Sequence, residues 1–176
     1  MGVDIRYGDG TGRYLFALAP DFIINRNADG DYHPSLVHSG GGLTGFEYQI
    51  NPKTMFYGYY GGVWGQRNFG IDCYVQPVVP PPPGGTAPPA VCNQTYSSTP
   101  QYLGYGYPGA PNNQNKSIQE PTFGIIETFW KNPHYGSLQL ITQYSYATRA
   151  PWVVLNNQPK NAHLSMAYVD LRYVLP

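Results

Sequence analysis

The sequence predicts an all-β, antiparallel fold on three observations. Seventeen Tyr, seven Phe and three Trp make this chain of 176 residues rich in the aromatic side chains that strands favour. Glycine and proline, at 21 and 18 residues, interrupt the chain too often for long helices. Apolar and polar residues also alternate with a period of two in several segments, which is the pattern of a strand with two different faces.

The clearest strand lies between Leu138 and Thr148, where apolar and aromatic side chains alternate with uncharged polar ones. The last segment, residues 167–175, repeats this pattern. Similar alternation predicts strands at residues 2–7, 13–25, 46–50, 55–66 and 122–130, which makes about seven strands in all. A soluble sandwich of two sheets would give the same alternation, so the strands alone leave the architecture open.

Two residues disturb the pattern. Pro20 weakens the strand predicted at 13–25, because proline has no N–H to donate to a sheet. Glu127 has the same parity as the apolar residues Phe123, Ile125 and Phe129. A bulge that shifts the register is the one physical account of Glu127 that the sequence offers.

The connections between these strands alternate in length. Short turns are expected at residues 8–12, 51–54 and 131–135, and long loops at 26–40, 68–116 and 151–162. Outer-membrane barrels have short turns at one end and long loops at the other, because antiparallel strands return to the same end at every second connection. The pattern predicts an antiparallel up-and-down transmembrane β-barrel in one domain, residues 1–176, with 68–116 as a long external Pro/Gly-rich loop.

Composition narrows the classes of partner. Charged residues make up 11% of the chain, with ten basic against ten acidic, so no field exists to attract nucleic acid. No run of about 18 apolar residues occurs, which excludes a transmembrane helix but not a barrel strand of about ten alternating residues. The N-terminus lacks the basic and apolar regions of a signal peptide. We therefore expect a mature or truncated chain that forms the C-terminal part of an incomplete barrel.

The sequence resembles a known family at its C-terminus and in one hairpin. Residues 168–175, YVDLRYVL, resemble the terminal strand of bacterial outer-membrane barrels, which the barrel-assembly machinery reads. Residues 45–60 resemble a porin-like hairpin. The resemblance implies a β-barrel in the outer membrane of a Gram-negative bacterium, with outer-membrane lipid and the assembly machinery as partners.

Residues that could carry chemistry are few. Cys73 and Cys92 bracket a proline-rich segment, and in an oxidising compartment we expect them to form a disulfide; the alternative is a pair of free thiols. Residues 25–30 imitate the opening of a calcium loop, but Leu36 stands where that motif needs a glutamate. The four His residues share no metal-ligand spacing, and no nucleophile or phosphate motif is present. Neither a metal, a cofactor nor an enzyme activity is expected.

The polar positions of the alternating strands are the candidates for a solute path. Parity alone assigns to this pore lining Glu47, Gln49, Gln139, Gln143, Arg149, Asp170 and Arg172. Opposite charges there would set up a transverse field, or would cross-link a filled interior; both readings stay open. The predicted function is a porin-like channel for passive or selective passage of small solutes, with a homo-oligomer compatible with it. The alternative is a non-enzymatic binding or adhesion domain that displays its long loops to a partner or glycan.

Overall fold

A computed structural model describes residues 1–15, 19–26, 31–72, 74–75, 92–93, 101–154 and 158–176, with backbone alone at 72, 74, 75, 92, 93 and 101. Its main sheet contains six antiparallel strands, each hydrogen-bonded to the next. In order across the sheet they are β1 (Gly2–Asp9), β4 (His38–Asn51), β5 (Thr54–Gly65), β10 (Asn115–Asn132), β11 (Gly136–Pro151) and β12 (Ala162–Val174). The predicted all-β antiparallel class is confirmed.

Six shorter strands lie in the connections and form two-stranded pairs. They are β2 (Phe22–Arg26) with β3 (Tyr32–Leu36), β6 (Asn68–Asp72) with β9 (Gln101–Tyr105), and β7 (Tyr74–Val75) with β8 (Cys92–Asn93). The described parts of the predicted loop 68–116 are therefore largely paired strand. Cys73 lies outside the described residues and only the backbone of Cys92 is described, so the disulfide stays a prediction.

Six of the seven predicted strands fall within the main sheet, and the strand predicted at 13–25 is right only in its last part. Residues Gly12–Tyr14 form a 3-10 turn, and among the described residues of this segment strand begins at Phe22. The reason is a close approach of the backbone: a Cβ on Gly12 would overlap the carbonyl of Ala19. Gly12 and Ala19 are thus in backbone contact, and β2 pairs with β3 instead of with the main sheet.

The alternation of connections survives with one correction. Residues 8–12 are not a hairpin turn of the main sheet, because β1 pairs with β4 and the whole segment 10–37 connects them. The predicted loop 26–40 likewise contains β3 and the start of β4. The five connections of the main sheet are therefore long, short, long, short, long.

The two remaining short turns are confirmed, and asparagine side chains stabilise both. The Asn51 side-chain oxygen accepts hydrogen bonds from the backbone N–H groups of Lys53 and Thr54, at 2.8 and 2.9 Å. Asn132 accepts one from the N–H of His134 at 2.8 Å. Asparagine is favoured in turns because its side chain can satisfy the backbone in this way.

The long connections pack together at one end of the main sheet, and we call this unit the loop cluster. Its buried core consists of Ala19, Ile23, Val37 and Tyr105, with Trp152 packed against them. The main sheet itself is open: β1 and β12 are its two edges. No helix within the described ranges is long and apolar enough to cross a membrane.

Candidate functional site

The register of the main sheet divides its side chains into two faces. Directly paired residues point to the same side of a sheet. Tyr57 pairs with Glu47 on β4 and with Gly124 on β10. Gly124 pairs with Gln143, and Gln143 with Tyr168. We call the side that carries these residues the polar face and the opposite side the apolar face.

All seven residues predicted to line a pore lie on the polar face. They come from three strands: Glu47 and Gln49 from β4, Gln139, Gln143 and Arg149 from β11, and Asp170 and Arg172 from β12. The structure brings all seven to one face of the sheet, although Glu47 and Arg172 are 125 positions apart in sequence.

Sequence reasoning missed the contribution of the two central strands. β5 and β10 place on the polar face Tyr57, Tyr59, Glu120 and Thr122. Their segments are apolar at many positions on both sides, so alternation gave no usable polarity there. The signal that could have found these residues was the parity of Glu120 relative to the strongly apolar Phe123 and Ile125.

An open cleft of about 480 Å³ lies on the polar face. Its walls come from β4, β5, β10, β11 and β12. The lining includes Glu47, Tyr57, Tyr59, Glu120, Gln143, Tyr168, Asp170 and Arg172. The face is concave there: Tyr57 is 6% exposed and Ser145 is fully buried. The cleft contains three carboxylates and one guanidinium.

A chain of hydrogen bonds runs across the floor of the cleft. The Tyr57 hydroxyl donates to the Gln143 side-chain oxygen at 2.9 Å, and the Gln143 amide donates to Ser145 Oγ at 3.3 Å. Ser145 Oγ and Thr122 Oγ1 are 2.7 Å apart, and Thr122 donates to Glu120 at 3.3 Å. If each hydroxyl donates onward, all the bonds point from Tyr57 toward Glu120, so every hydroxyl in the chain both has an acceptor and keeps one direction of donation.

Tyrosine rings cover glycines on this face. A Cβ on Gly124 would overlap the Tyr57 ring, and one on Gly45 would overlap the Tyr59 ring. The absent side chains let Tyr57 lie flat across β10 and reach Gln143 on β11. Tyr59 leans the other way, and its hydroxyl donates to Glu47 at 2.6 Å. Each ring thereby protects a glycine strand segment that has no side chain of its own to pack.

The charged groups of the cleft have mainly neutral side chains as hydrogen-bond partners. The Arg172 guanidinium donates twice to the Gln139 oxygen, at 3.1 and 2.7 Å. Among the described residues no ion pair joins Arg172 to Glu47, Glu120 or Asp170. The carboxylates of the cleft are therefore not neutralised by a salt bridge.

The loop cluster covers the polar face at the long-loop end. Leu15 is buried over Gly41, where a Cβ would lie 3.1 Å from the Leu15 side chain, and Ala19 packs on Gly65. Thr11 Oγ1 and Ser39 Oγ are 2.7 Å apart. Arg149, at the same end, donates to Asn115 and to the carbonyl of Asn112. Of the predicted lining residues, Arg149 is thus the one held by the loops.

Burial also perturbs one tyrosine of the loop cluster. The Tyr105 side chain is buried, which raises the pKa of its hydroxyl, and this hydroxyl donates a hydrogen bond to the Asn115 carbonyl at 2.7 Å. The group therefore stays protonated over the physiological range and serves as a donor that ties β9 to β10.

The apolar face is exposed over the whole width of the sheet. The exposed fraction is 77% for Ile5, 75% for Val169 and 62% for Leu171. Other large side chains exposed on this face are Val3, Tyr7, Phe46, Tyr48, Ile50, Tyr60, Phe123, Ile125, Tyr144 and Tyr173. Within the described part of the chain, no second sheet covers this face.

The structure also accounts for Glu127. The register shift on β10 lies between Thr128 and Trp130, so Phe129 is the bulged residue and Glu127 remains on the apolar face. Its carboxylate accepts a hydrogen bond from Thr54 Oγ1 at 2.6 Å, beside the short turn. Glu127 therefore lies at the short-turn rim of the apolar face and not at its centre.

Comparison with known proteins gives no relative: no family model, no curated protein and no solved structure matches the chain. Among the described residues, no group of three or more His, Cys, Asp or Glu side chains is placed to hold a metal ion. The candidate site is thus defined by its own geometry, a concave polar cleft on one face and an exposed apolar surface on the other.

Proposed function

We propose that this chain forms part of a transmembrane β-barrel of a bacterial outer membrane and works as a porin-like channel for small solutes. The polar face would line the solute path, and the apolar face would contact lipid. The observation that carries the proposal is the distribution of side chains on the main sheet: large apolar side chains are exposed across one face from β1 to β12, and the opposite face carries the polar cleft.

This arrangement wastes apolar surface in water. Each Å² of apolar surface left exposed forgoes roughly 25 cal/mol of stabilisation by burial, and soluble monomers rarely expose continuous apolar patches beyond a few hundred Å². The apolar face extends far more widely, from Ile5 on β1 to Leu171 on β12. In hydrocarbon the same surface has no such cost, which favours a membrane setting.

The dimensions of the sheet support the same setting. On β11 the apolar face runs from Leu138 to Tyr146, which is about 27 Å along a strand at 3.4 Å per residue and about 21 Å in height at a barrel tilt of about 40°. The apolar band of outer-membrane barrels is about 25 Å tall. Backbone groups at a sheet edge cannot stay unpaired in lipid, so the proposal requires further strands to pair with the edges β1 and β12.

The cleft suggests what the channel prefers. Three carboxylates, Glu47, Glu120 and Asp170, face one guanidinium, Arg172, so the lining is net acidic. Charged rings in a pore select for ions of the opposite sign. We propose a passive, non-enzymatic path with a weak preference for small cations, assembled by the barrel-assembly machinery and compatible with a homo-oligomer.

Planar-bilayer recording of the closed barrel, in which further strands or further copies of the chain pair with β1 and β12, tests the proposal. We expect discrete conductance steps and a reversal potential that favours cations in a salt gradient. Glu47→Gln should reduce this preference, because it removes a carboxylate from the cleft. The matched control is Glu127→Gln, which removes the same charge from the apolar face and should leave the reversal potential unchanged.

Absence of conductance from a preparation that shifts on heating in a detergent gel, as folded barrels do, would contradict the channel. In that case the alternative is favoured, a binding or adhesion domain. The observation behind this alternative is the loop cluster, which has its own buried core and presents the long connections together at one end of the sheet.

A further inference from the structure

Partly buried aromatic rings of the loop cluster form a row, in which an arginine bridges the last two rings. The rings of Tyr107 and Tyr102 stack with their centres 5.9 Å apart, and Tyr102 meets Phe69 edge to face at 5.8 Å. Arg67 joins this group to Trp152, since its guanidinium carbon lies 5.9 Å from the Phe69 ring and 5.6 Å from the Trp152 ring. We call this set, together with Lys116, the aromatic row.

Trp152 anchors one end of the row in a fixed position. Its indole N–H donates to the carbonyl of Gly65 at 3.1 Å, and its backbone N–H donates to Gln114 at 2.9 Å. Gly106 has a φ of +72° and lies against the ring, where a Cβ would stand 2.9 Å from Trp152 Cγ. A side chain at 106 would thus displace the indole, and the ring is held in place before any ligand arrives.

Two cations share this ring. The Lys116 ammonium lies 5.5 Å from the centre of the Trp152 ring, and the Arg67 guanidinium carbon lies 5.6 Å from the same ring. Lys116 is the residue at the register shift of β10, between Asn115 and Ser117, and it is exposed, as is Arg67.

Neither cation has an acidic partner within the described part of the chain. Each keeps its N–H donors available, because a ring attracts the charge of a cation but accepts few of its hydrogen bonds. Both cations lie within 5.6 Å of the centre of one indole. An anion bound beside that ring would use these free donors.

We propose that the aromatic row is a binding site for an acidic saccharide. The apolar C–H faces of sugar rings would pack on Tyr107, Tyr102 and Trp152, which are rigid and only partly buried. Arg67 and Lys116 would pair with a carboxylate or phosphate of the sugar, a geometry that guanidinium serves with two parallel hydrogen bonds. The site is separate from the cleft and does not depend on the channel function.

Two sources could supply this chemistry at the long-loop end: phosphorylated sugars of surface lipids, and polysaccharides that contain uronic acids. Calorimetric titration of the full chain in detergent micelles distinguishes them. The acidic probes are glucosamine 6-phosphate and oligogalacturonate. The neutral reference is a malto-oligosaccharide of the same length as the oligogalacturonate. We expect one or both acidic probes to bind at least tenfold more tightly than the neutral one, and the tighter of the two identifies the source.

Variants test the row itself. Arg67→Gln and Lys116→Gln should each weaken binding of the acidic probe by roughly tenfold, as expected for loss of one charge-assisted contact of about 1.4 kcal/mol. Both residues are exposed, so the fold should persist, which circular dichroism checks. The matched control is Lys53→Gln, an exposed lysine in the short turn at the other end of the sheet, and its affinity should be unchanged.

Tyr107→Leu gives an independent readout of stacking, because it removes a ring without changing charge; we expect a loss of a few fold for both acidic and neutral probes. The proposal is overturned if no acidic probe binds, if the neutral probe binds equally well, or if the double variant Arg67→Gln/Lys116→Gln binds like the unmodified chain. Binding without conductance would contradict the channel and leave this site standing.

Discussion

The two faces of the main sheet are built on the same six strands but differ in burial on the central ones. On the apolar face Tyr60, Phe123 and Tyr144 are 46%, 50% and 48% exposed, whereas on the polar face Tyr57, Thr122 and Ser145 are 6%, 9% and 0% exposed. At the edge strand β12 both faces are exposed. A water-soluble β-domain reverses this order, because apolar burial drives its folding. The difference indicates that hydrogen bonds and ring packing, rather than apolar burial, organise the concave side.

The largest expected effect is the difference in stability between a charge placed on the apolar face of β12 and a charge placed on its polar face. Val169→Arg puts a guanidinium on the apolar face of β12, and in a bilayer this should destabilise the protein by about 2–4 kcal/mol. Leu164→Arg makes the same kind of change on the polar face, where it should cost within about 0.5 kcal/mol. Denaturant titration of both variants folded into lipid vesicles measures the difference.

Equal costs for Val169→Arg and Leu164→Arg would break the comparison, because they would mean that neither face contacts lipid. The same outcome in detergent alone would not do so, since micelles adapt to a charge. The vesicle measurement is therefore the decisive one.

A smaller effect is expected under the tyrosine rings of the polar face. Gly124→Ala places a methyl group in the space of the Tyr57 ring and should displace its hydroxyl from Gln143. We expect a loss of about 1–3 kcal/mol, as for other overpacked sites. Gly61→Ala is the matched control on the same face, because its Cβ would lie 3.4 Å from Leu43, an ordinary contact.

Thermal unfolding of the two alanine variants measures this difference. If Gly124→Ala is as stable as Gly61→Ala, the ring of Tyr57 is free to move and the hydrogen-bonded floor of the cleft has no part in stability.

The smallest effect concerns the loop cluster, which covers the polar face alone. The pKa of Asp21 is lowered, chiefly because the backbone N–H of Arg13 donates to its carboxylate at 2.8 Å, and the Arg13 guanidinium pairs with it as well. A carboxylate with a lowered pKa stabilises the folded state above its ordinary value near 4 and loses that contribution as pH falls toward the lowered value. The protection factors of the amides around residues 12–15, which are exchange rates corrected for their intrinsic dependence on pH, should therefore fall in acid.

Asp21→Asn should remove this pH dependence, and Asp31→Asn on the same connection should keep it. Protection factors that depend equally on pH in Asp21→Asn and in the unmodified chain would assign the effect to another group.

Much of the sheet could be predicted from the sequence, because a period of two depends only on local geometry. The strand at 138–148 and the polar parity of Gln143 and Asp170 follow from alternation alone. The helical turn at Gly12 could not be predicted in this way, since it depends on the approach of Ala19 from elsewhere in the connection. The disulfide, the oligomeric state and the membrane location stay predictions.

By itself the sequence determined the class of the fold, the two asparagine turns and which residues share the polar side. The tertiary structure alone decided the neighbours of those residues. It paired β1 with β4 across a long connection, laid Tyr57 over Gly124 to meet Gln143, and brought Arg67, Trp152 and Lys116 together. The physical reason is that parity specifies a face, whereas contact between distant strands depends on register and on which side chains are absent.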